Sequence, residues 1–408
     1  MAIDYDSNVG YTQATGSNLT KKMWDKVLHE QVQDKSFFKG LIGKDKGGEG
    51  SLDANVSNFP IIEKTQLGKD GGDQVTLGLA RQMGNSDIFG AGASFAINNG
   101  KVANVQLVDN EESLTFSNAQ VKIAHLRDGV LIQGKMTEQR SPFDLQKTAS
   151  SLLSTRLAKH LDDGLFFTMY SGYSPNVVRE LGLTAALTTV HPNRIFGDSG
   201  GTTYAGLLVA DTVDTGFLDR IAVSLSTENV APCIVDGEEV FLAIFHPYAI
   251  KQLRADSLWA NAQYYVAEKG KKNPLFSGSI GKWNGMIVRE SNKISHAKKF
   301  AAADLVVTSN LIATFPDEAT TGTTTTFPAT DVRMNIVMGA NAVARAYGVE
   351  SYMAKRKEDD YGNLIGFGGG SIYGDRRVDW VPESGTTVNQ SSLIAYSYSP
   401  AVSGLSIW

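Results

Sequence analysis

The 408-residue chain has a single cysteine, Cys233, so it can form no internal disulfide and no thiolate metal cage. One thiol agrees with a reducing compartment. Cys233 lies in an apolar run with Ile234 and Val235, which predicts a buried filler rather than a reactive group. Long apolar stretches are also lacking: none approaches the roughly 18 residues of a membrane-spanning helix. The opening residues carry Asp4 and Asp6 where a secretory signal carries lysine or arginine, so the expectation is a protein made and kept in a cytosol. Positive charge is short too. Lysine and arginine number 38 against 43 acids, a formal net charge of −5, which argues against a protein that neutralises many phosphates by itself.

Length and a hydrophobic content of 42% allow two or three closely connected domains with their own cores. Met1 to about Asn18 is polar and rich in Gly, Ser and Thr; Met23, Trp24, Val27, Leu28 and Val32 then recur at helical spacing. This predicts a mobile arm followed by an amphipathic helix. Two alternating stretches follow: Val75, Leu77 and Leu79, and later Leu114 and Phe116. Each has the period of a half-exposed strand. Between them Gly84–Asn110 is too long for a tight turn and too weakly apolar for a core, so it is expected to project. An isolated two-stranded ribbon is marginal in water, so this one calls for a partner surface.

Ser141-Pro142-Phe143-Asp144 announces a helix, with Ser141 as N-cap, Pro142 at the first helical position and Asp144 in the acidic place of a capping box. Leu145, Ala149, Leu152, Leu153, Leu157, Leu161 and Leu165 continue one apolar face to Ser171-Gly172, a helix of roughly 28 residues and about 40 Å. Val213, Phe217, Leu218, Ile221, Ala222 and Leu225 predict another helix, Val240–Phe245 a strand, and Pro247 the start of a further helix. Met286–Val288 and Leu305–Val307 read as short strands, and Asn335–Tyr347 as a strand passing into a helix. Thr320–Thr326 reads as a surface loop. The glycines from Gly366 to Gly374 read as strands and turns returning to the body.

No arrangement of reactive residues supports chemistry. His29-Glu30 is followed by Gln33 where a zinc-protease pattern needs a second ligand. His125, His160, His191, His246 and His296 are scattered and read as surface or satisfied core residues. Gly278-Ser279-Ile280-Gly281-Lys282 continues to Trp283 instead of Ser or Thr, and Gly366–Gly370 misses the dinucleotide spacing. The paired acids Glu111-Glu112, Asp162-Asp163, Glu238-Glu239 and Asp359-Asp360 place neighbours on different faces, which suits solvated charge or subunit contacts better than an acid and a base. Lys355-Arg356-Lys357 and Arg376-Arg377 lie beside Glu358, Asp359, Asp360, Asp375 and Asp379 and read as salt-bridging strips. No catalytic, cofactor-binding or metal-binding residue is assigned.

Two blocks carry a family resemblance. One runs from His246-Pro247 through Leu253-Arg254-Ala255-Asp256, Trp259, Ala262, Gly270, Asn273-Pro274-Leu275-Phe276, Gly278, Gly281 and Trp283 to Gly285. The other is Gly72-Asp73 with its alternating strand, then Glu111-Glu112, Arg127 and the long helix. Together they resemble the N-four-like podovirus family of major capsid proteins. The resemblance implies an α+β chain with the Hong Kong 97-like phage capsid fold: N-terminal arm, extended β-ribbon loop, peripheral domain with a long spine helix, and axial domain. It divides the chain into an arm and helix (1–45), the start of the peripheral domain (46–72), the extended loop (73–125), the peripheral domain with its spine (126–202), the axial domain (203–348) and a return with a C-terminal segment (349–408).

The function so implied is a non-enzymatic one: self-assembly of hexamers and pentamers into an icosahedral head that encloses double-stranded DNA. Implied partners are further copies, a portal, and scaffold or decoration proteins, with no membrane and no sequence-specific DNA contact. The implied location is the virion, after assembly in the bacterial host cytoplasm. A compartment shell of the same fold, an encapsulin carrying enzyme cargo, is one alternative. An enzyme using the Gly278–Gly285 loop and Lys282 is another.

Overall fold

The computed structural model describes residues 37–38, 41–44, 59–64, 72–80, 116–132, 145–181, 191–198, 206–228, 230–235, 238–265, 279–296, 331–355, 364–379 and 391–400, with 135, 139 and 389. The arm and its helix near Met23, the Gly84–Asn110 insert, the Ser141–Asp144 cap, the Leu305–Val307 strand and the threonine-rich loop lie outside the described residues.

The strands are β1 (Ile42–Lys44), β2 (Ile61–Lys64), β3 (Gln74–Ala80), β4 (Phe116–Lys122), β5 (Ala124–Ile132), β6 (Arg194–Phe196), β7 (Cys233–Val235), β8 (Glu238–Phe245), β9 (Ser279–Trp283), β10 (Met286–Glu290), β11 (Val332–Met338), β12 (Val343–Lys355), β13 (Ile365–Arg377) and β14 (Ser392–Tyr398). The helices are α1 (Leu145–Ser171), α2 (Pro175–Leu181), α3 (Thr215–Thr227), α4 (Pro247–Ala255) and α5 (Ser257–Tyr265). A five-stranded sheet has the order β1-β2-β12-β13-β5. A seven-stranded sheet has the order β6-β14-β11-β8-β10-β9, with β7 on β8, and β3-β4 form a separate pair.

The long helix α1 has 27 residues and stops where expected, because Gly172 takes φ +87 and turns the chain left-handed. Its first half lays Leu153, Leu157 and Leu161 on the five-stranded sheet beside Tyr347 and Tyr373. Its second half carries Leu165, Phe166, Met169 and Tyr170 into the core under the seven-stranded sheet. One helix therefore joins two cores. Leu152, expected on the buried face, is 59% exposed, because it lies about 100° around the helix from Leu153.

The seven-stranded sheet is covered on both faces. Leu242, Ile244, Met334, Ile336 and Ile394 face the end of α1, while the alternate residues Ala243, Phe245, Val337, Leu393 and Ala395 face α3 and α4. Asn335–Tyr347 is a correction: it is strand, turn and strand, not strand into helix. Asn341 takes φ 58 in the turn, and Val343–Tyr347 is buried at every position, so its apolar run has no period that separates strand from helix.

The two strands of the ribbon pair antiparallel from Gln74↔Lys122 to Ala80↔Phe116. Their base is not isolated. Val75, Leu77, Ala119 and Val121 pack on Ala344, Ala346 and Val378 of the chain's own body. Small residues make this approach possible: a Cβ on Gly374 would lie 1.8 Å from the carbonyl oxygen of Lys122, so no larger residue fits there without moving the ribbon.

Candidate functional site

Buried charged residues gather at the junction where α1 meets both sheets. Arg345, alone in the apolar run Val343-Ala344-Arg345-Ala346, sits on β12 and reaches Asp375 of β13 with Nε at 2.6 Å and a terminal nitrogen at 2.9 Å. The two side chains are 2% and 0% exposed. A third donation goes to the Leu161 carbonyl in α1 at 3.2 Å. Burial by itself lowers the pKa of Arg345, but the Asp375 carboxylate and the Tyr347 ring oxygen outweigh it, and the guanidinium stays charged well above its ordinary value.

Arg377, two residues further along β13, donates to the Met169 and Tyr170 carbonyls at 3.0 and 3.3 Å. These are carbonyls that the end of a helix leaves unsatisfied, and a cation there also meets the negative end of the helix dipole. Asp379 holds the same guanidinium at 2.8 Å and accepts from Asn389 at 2.7 Å. Arg376 and Arg377 were expected in salt-bridging strips. The pairing of Arg377 with Asp379 agrees, but Arg377 is buried, not on the surface. Arg376 instead donates to the Gln120 carbonyl and stands over the Tyr173 ring, and Asp375 belongs to Arg345.

The described parts of the block from His246 to Gly285, residues 246–265 and 279–285, are architectural; residues 266–278 lie outside the described residues. His246 caps α4, its ring accepting from the Tyr248 N–H at 3.2 Å. Asp256 accepts from Thr215 at the start of α3 and from the Leu258 N–H in α5. Trp259 is buried, 6.0 Å from the Trp283 ring. Asn284 and Gly285 take φ 42 and 76 to close the β9–β10 hairpin, and Asp219 of α3 binds both the Trp283 indole and the Asn284 amide. Lys282 is ion-paired with Glu238 across the surface. The Ser279–Gly285 stretch thus serves a hairpin.

The remaining candidates are dispersed. Cys233 is buried, and desolvation pushes its thiol up to about 12. Asp162 accepts from the Phe37 N–H at 2.7 Å, whereas Asp163 pairs with Lys293 at 2.6 Å. His125 bonds the Tyr352 hydroxyl at 2.7 Å, and His160 lies 3.0 Å from Asp128. His191 is buried against the Asn193 backbone and the Ser392 hydroxyl. His29, Glu111-Glu112 and Asp359-Asp360 lie outside the described residues. Among the described residues no group of three or more His, Cys, Asp or Glu side chains could hold a metal ion, and no helix is long and apolar enough to cross a membrane.

Two of these histidines make stability depend on pH. Burial, then Arg333 and His296, lower His246 to about 4; burial and Arg377 hold His191 well below its usual value. Both stay neutral when folded but take up a proton near pH 6.5 when unfolded, so the unfolded state binds more protons and stability falls with acidification. The thermal midpoint of the subunit is expected to drop as pH is lowered from about 6.5 to about 4. His191→Asn should flatten that slope; an unchanged slope would remove His191 from the explanation.

What the geometry defines is a body with a two-stranded ribbon held at its base, a long helix joining two sheets and, among the described residues, no cluster of metal-ligating side chains. That is the class of shell-building subunits with the Hong Kong 97-like fold, and comparison with solved structures agrees. The capsid of Ralstonia phage GP4 matches with a TM-score of 0.64 and 20% identity over 90% of this chain and 92% of that one. The capsid of cyanophage Pam1 gives 0.63 and 20% over 90% and 93%, and that of Helicobacter pylori bacteriophage KHP30 gives 0.60 and 13% over 89% and 91%. The major capsid protein of Pseudomonas phage KPP25 is 22% identical over 304 residues, covering 70% of this chain and 74% of that protein. A model of the phage capsid protein family matches residues 12–395, and the chain belongs to that family. Its function is that of a major capsid protein, a structural component of the virion, and the encapsulin alternative is not favoured.

Proposed function

We propose that copies of this chain meet around six-fold and five-fold axes to form a closed head that encloses double-stranded DNA. The observation that carries this reading is the division between the tightly bonded junction of α1 with both sheets and a separate two-stranded ribbon whose base packs on the body. One subunit must fit two ring sizes, which suits a stiff body joined through adaptable extensions. Region 203–348 would supply the ring contacts, where Leu208, Val209, Val223 and Leu258 are exposed apolar residues. The insert between β3 and β4 would lie on a neighbouring copy, anchored by a ribbon base that packs on its own chain.

DNA would be held by enclosure: the net charge of −5 keeps the wall from gripping phosphates. A portal, scaffold and decoration proteins, and assembly in the bacterial host cytoplasm, complete the proposal as expected partners and setting.

Residues before Leu19 would clasp a neighbour, losing conformational freedom only on assembly. Packing within the described body begins with Phe37 and Phe38; Phe38 is buried, and Phe37 stacks on Phe166 at 5.7 Å. Deleting Met1–Asn18 should therefore leave the subunit's thermal midpoint unchanged and raise the concentration needed for assembly about tenfold or more, roughly 1.4 kcal/mol per subunit. Thermal denaturation and sedimentation measure the two effects. Unfolding of the truncated subunit would show that the segment belongs to the core.

A further inference from the structure

Among the described residues, strand β5 is the outer strand of the five-stranded sheet and pairs only with β13. Its register runs unbroken from Ala124↔Tyr373 to Ile132↔Ile365, so every second residue turns its N–H and C=O away from the sheet. His125 fixes the phase, because its N–H donates outward to the Glu180 carboxylate of α2 at 2.8 Å. The same phase turns out the backbone groups of Arg127, Gly129 and Leu131. All three residues are exposed, and among the described residues these six groups have no partner.

Soluble proteins blunt such an edge with lysine, proline, a bulge or a cover. Glu180 stops only the first position. Beyond it there is no bulge and no proline, and Leu131 is 49% exposed. The surroundings are asymmetric. On the face away from α1, Gly129 lies beside Gly368 and Leu131 beside Gly366, so the floor is nearly bare backbone. On the α1 face, Arg156 and His160 gather around Asp128 at 3.1 and 3.0 Å, with side chains 57% and 42% exposed. Arg127 has no acidic partner among the described residues.

A strand that fits this edge is short, acidic on one face and apolar on the other. Ala2-Ile3-Asp4-Tyr5-Asp6 has that pattern: Ile3 and Tyr5 fall on one side, Asp4 and Asp6 on the other. Paired with β5, it can set Ile3 and Tyr5 over the glycine floor beside Leu131 while both carboxylates face Arg156 and His160. The Gly84–Asn110 insert carries only Asp87 and Asp109, too far apart for this match. Thirty residues separate Asp6 from Phe37, a span of up to about 100 Å at roughly 3.3 Å per residue, which is long enough to leave the parent subunit.

We propose that residues 2–6 of one subunit add as an extra strand to the Arg127–Leu131 edge of a neighbouring copy, by strand addition to an open sheet edge. This rests on the shell-building reading above, and it specifies where the arm goes. It is tested in full-length Ile3→Cys/Leu131→Cys protein, assembled and treated with a short bis-maleimide; Cys233 is buried and out of reach. Denaturing gels should show covalent multiples of the subunit that are strongly reduced in either single variant. A product linked only within one chain, or no product from intact particles, overturns the proposal.

Hydrogen exchange on the unsubstituted chain is the second measurement. The peptide spanning Arg127–Leu131 should exchange at least tenfold more slowly in particles than in free subunits, and deleting residues 2–6 should abolish that difference. Particles that form without this protection defeat the strand addition and leave the shell reading standing. Failure to form particles under any condition defeats both.

Discussion

Replacing Arg345 with alanine should destabilise the subunit by about 3–5 kcal/mol, the range for removing one partner of a buried ion pair. The substitution leaves the Asp375 carboxylate, 0% exposed, without its bidentate partner, and it strips the Leu161 carbonyl of a donor. Marginal stability of about 5–15 kcal/mol makes that a large fraction of the total. Asp375→Ala should cost a similar amount, because it strands the guanidinium instead. Removing both charges together, as in Arg345→Met/Asp375→Leu, should cost clearly less than the sum of the two single changes, since neither charge is then left unpaired. Urea denaturation of the isolated subunit measures all three. Single variants within about 1 kcal/mol of the parent would mean that the pair does not hold the junction of α1 with the sheet.

Shortening the ribbon should have the opposite profile, with no loss of fold and complete loss of assembly. When Gly84–Asn110 is replaced by a short turn, the base pairs from Gln74↔Lys122 to Ala80↔Phe116 and their packing on Ala344, Ala346 and Val378 remain. The thermal midpoint of the subunit should move by no more than about 2 °C, the shift that roughly 1–2 kcal/mol brings in a chain of this size. Particles should be absent from velocity sedimentation at every concentration tested. Normal particles from the shortened chain would show that the insert covers no neighbour.

How far the sequence discloses this structure depends on the range of the interactions concerned. Helix α1 and the hairpin strand β3 were legible because Leu153, Leu157 and Leu161, and Val75 and Leu77, repeat with the period of their element. Of the second ribbon stretch, Ser113–Ser117, the described residues Phe116 and Ser117 open the strand Phe116–Lys122, whose continuation is harder to read because Ala119 and Val121 are weaker apolar markers than leucine. Val343–Tyr347 was misread because burial on both sides erases the alternation that identifies a strand.

The Arg345–Asp375 pair was missed for a different reason. A lone arginine between Ala344 and Ala346 is a local sign that something must neutralise it, but the partner is 30 residues away and adjacent only through β12–β13 pairing. The glycines of β13 read as strands and turns, and in the structure Gly369 and Gly374 lie within one strand at close approaches, to Leu153 and to the Lys122 carbonyl. Which element comes close was not written locally. In the resemblance block from His246 to Gly285, the described residues His246, Trp259, Trp283, Asn284 and Gly285 cap, pack and turn the chain.

The central claim is that this chain builds a closed shell, and electron microscopy of the purified protein, with particle mass from sedimentation, tests it most directly. Icosahedral particles, or rings of five and six subunits, are the predicted result. A single small soluble oligomer under all conditions, with the chain expressed alone and with its genomic neighbours, would contradict it.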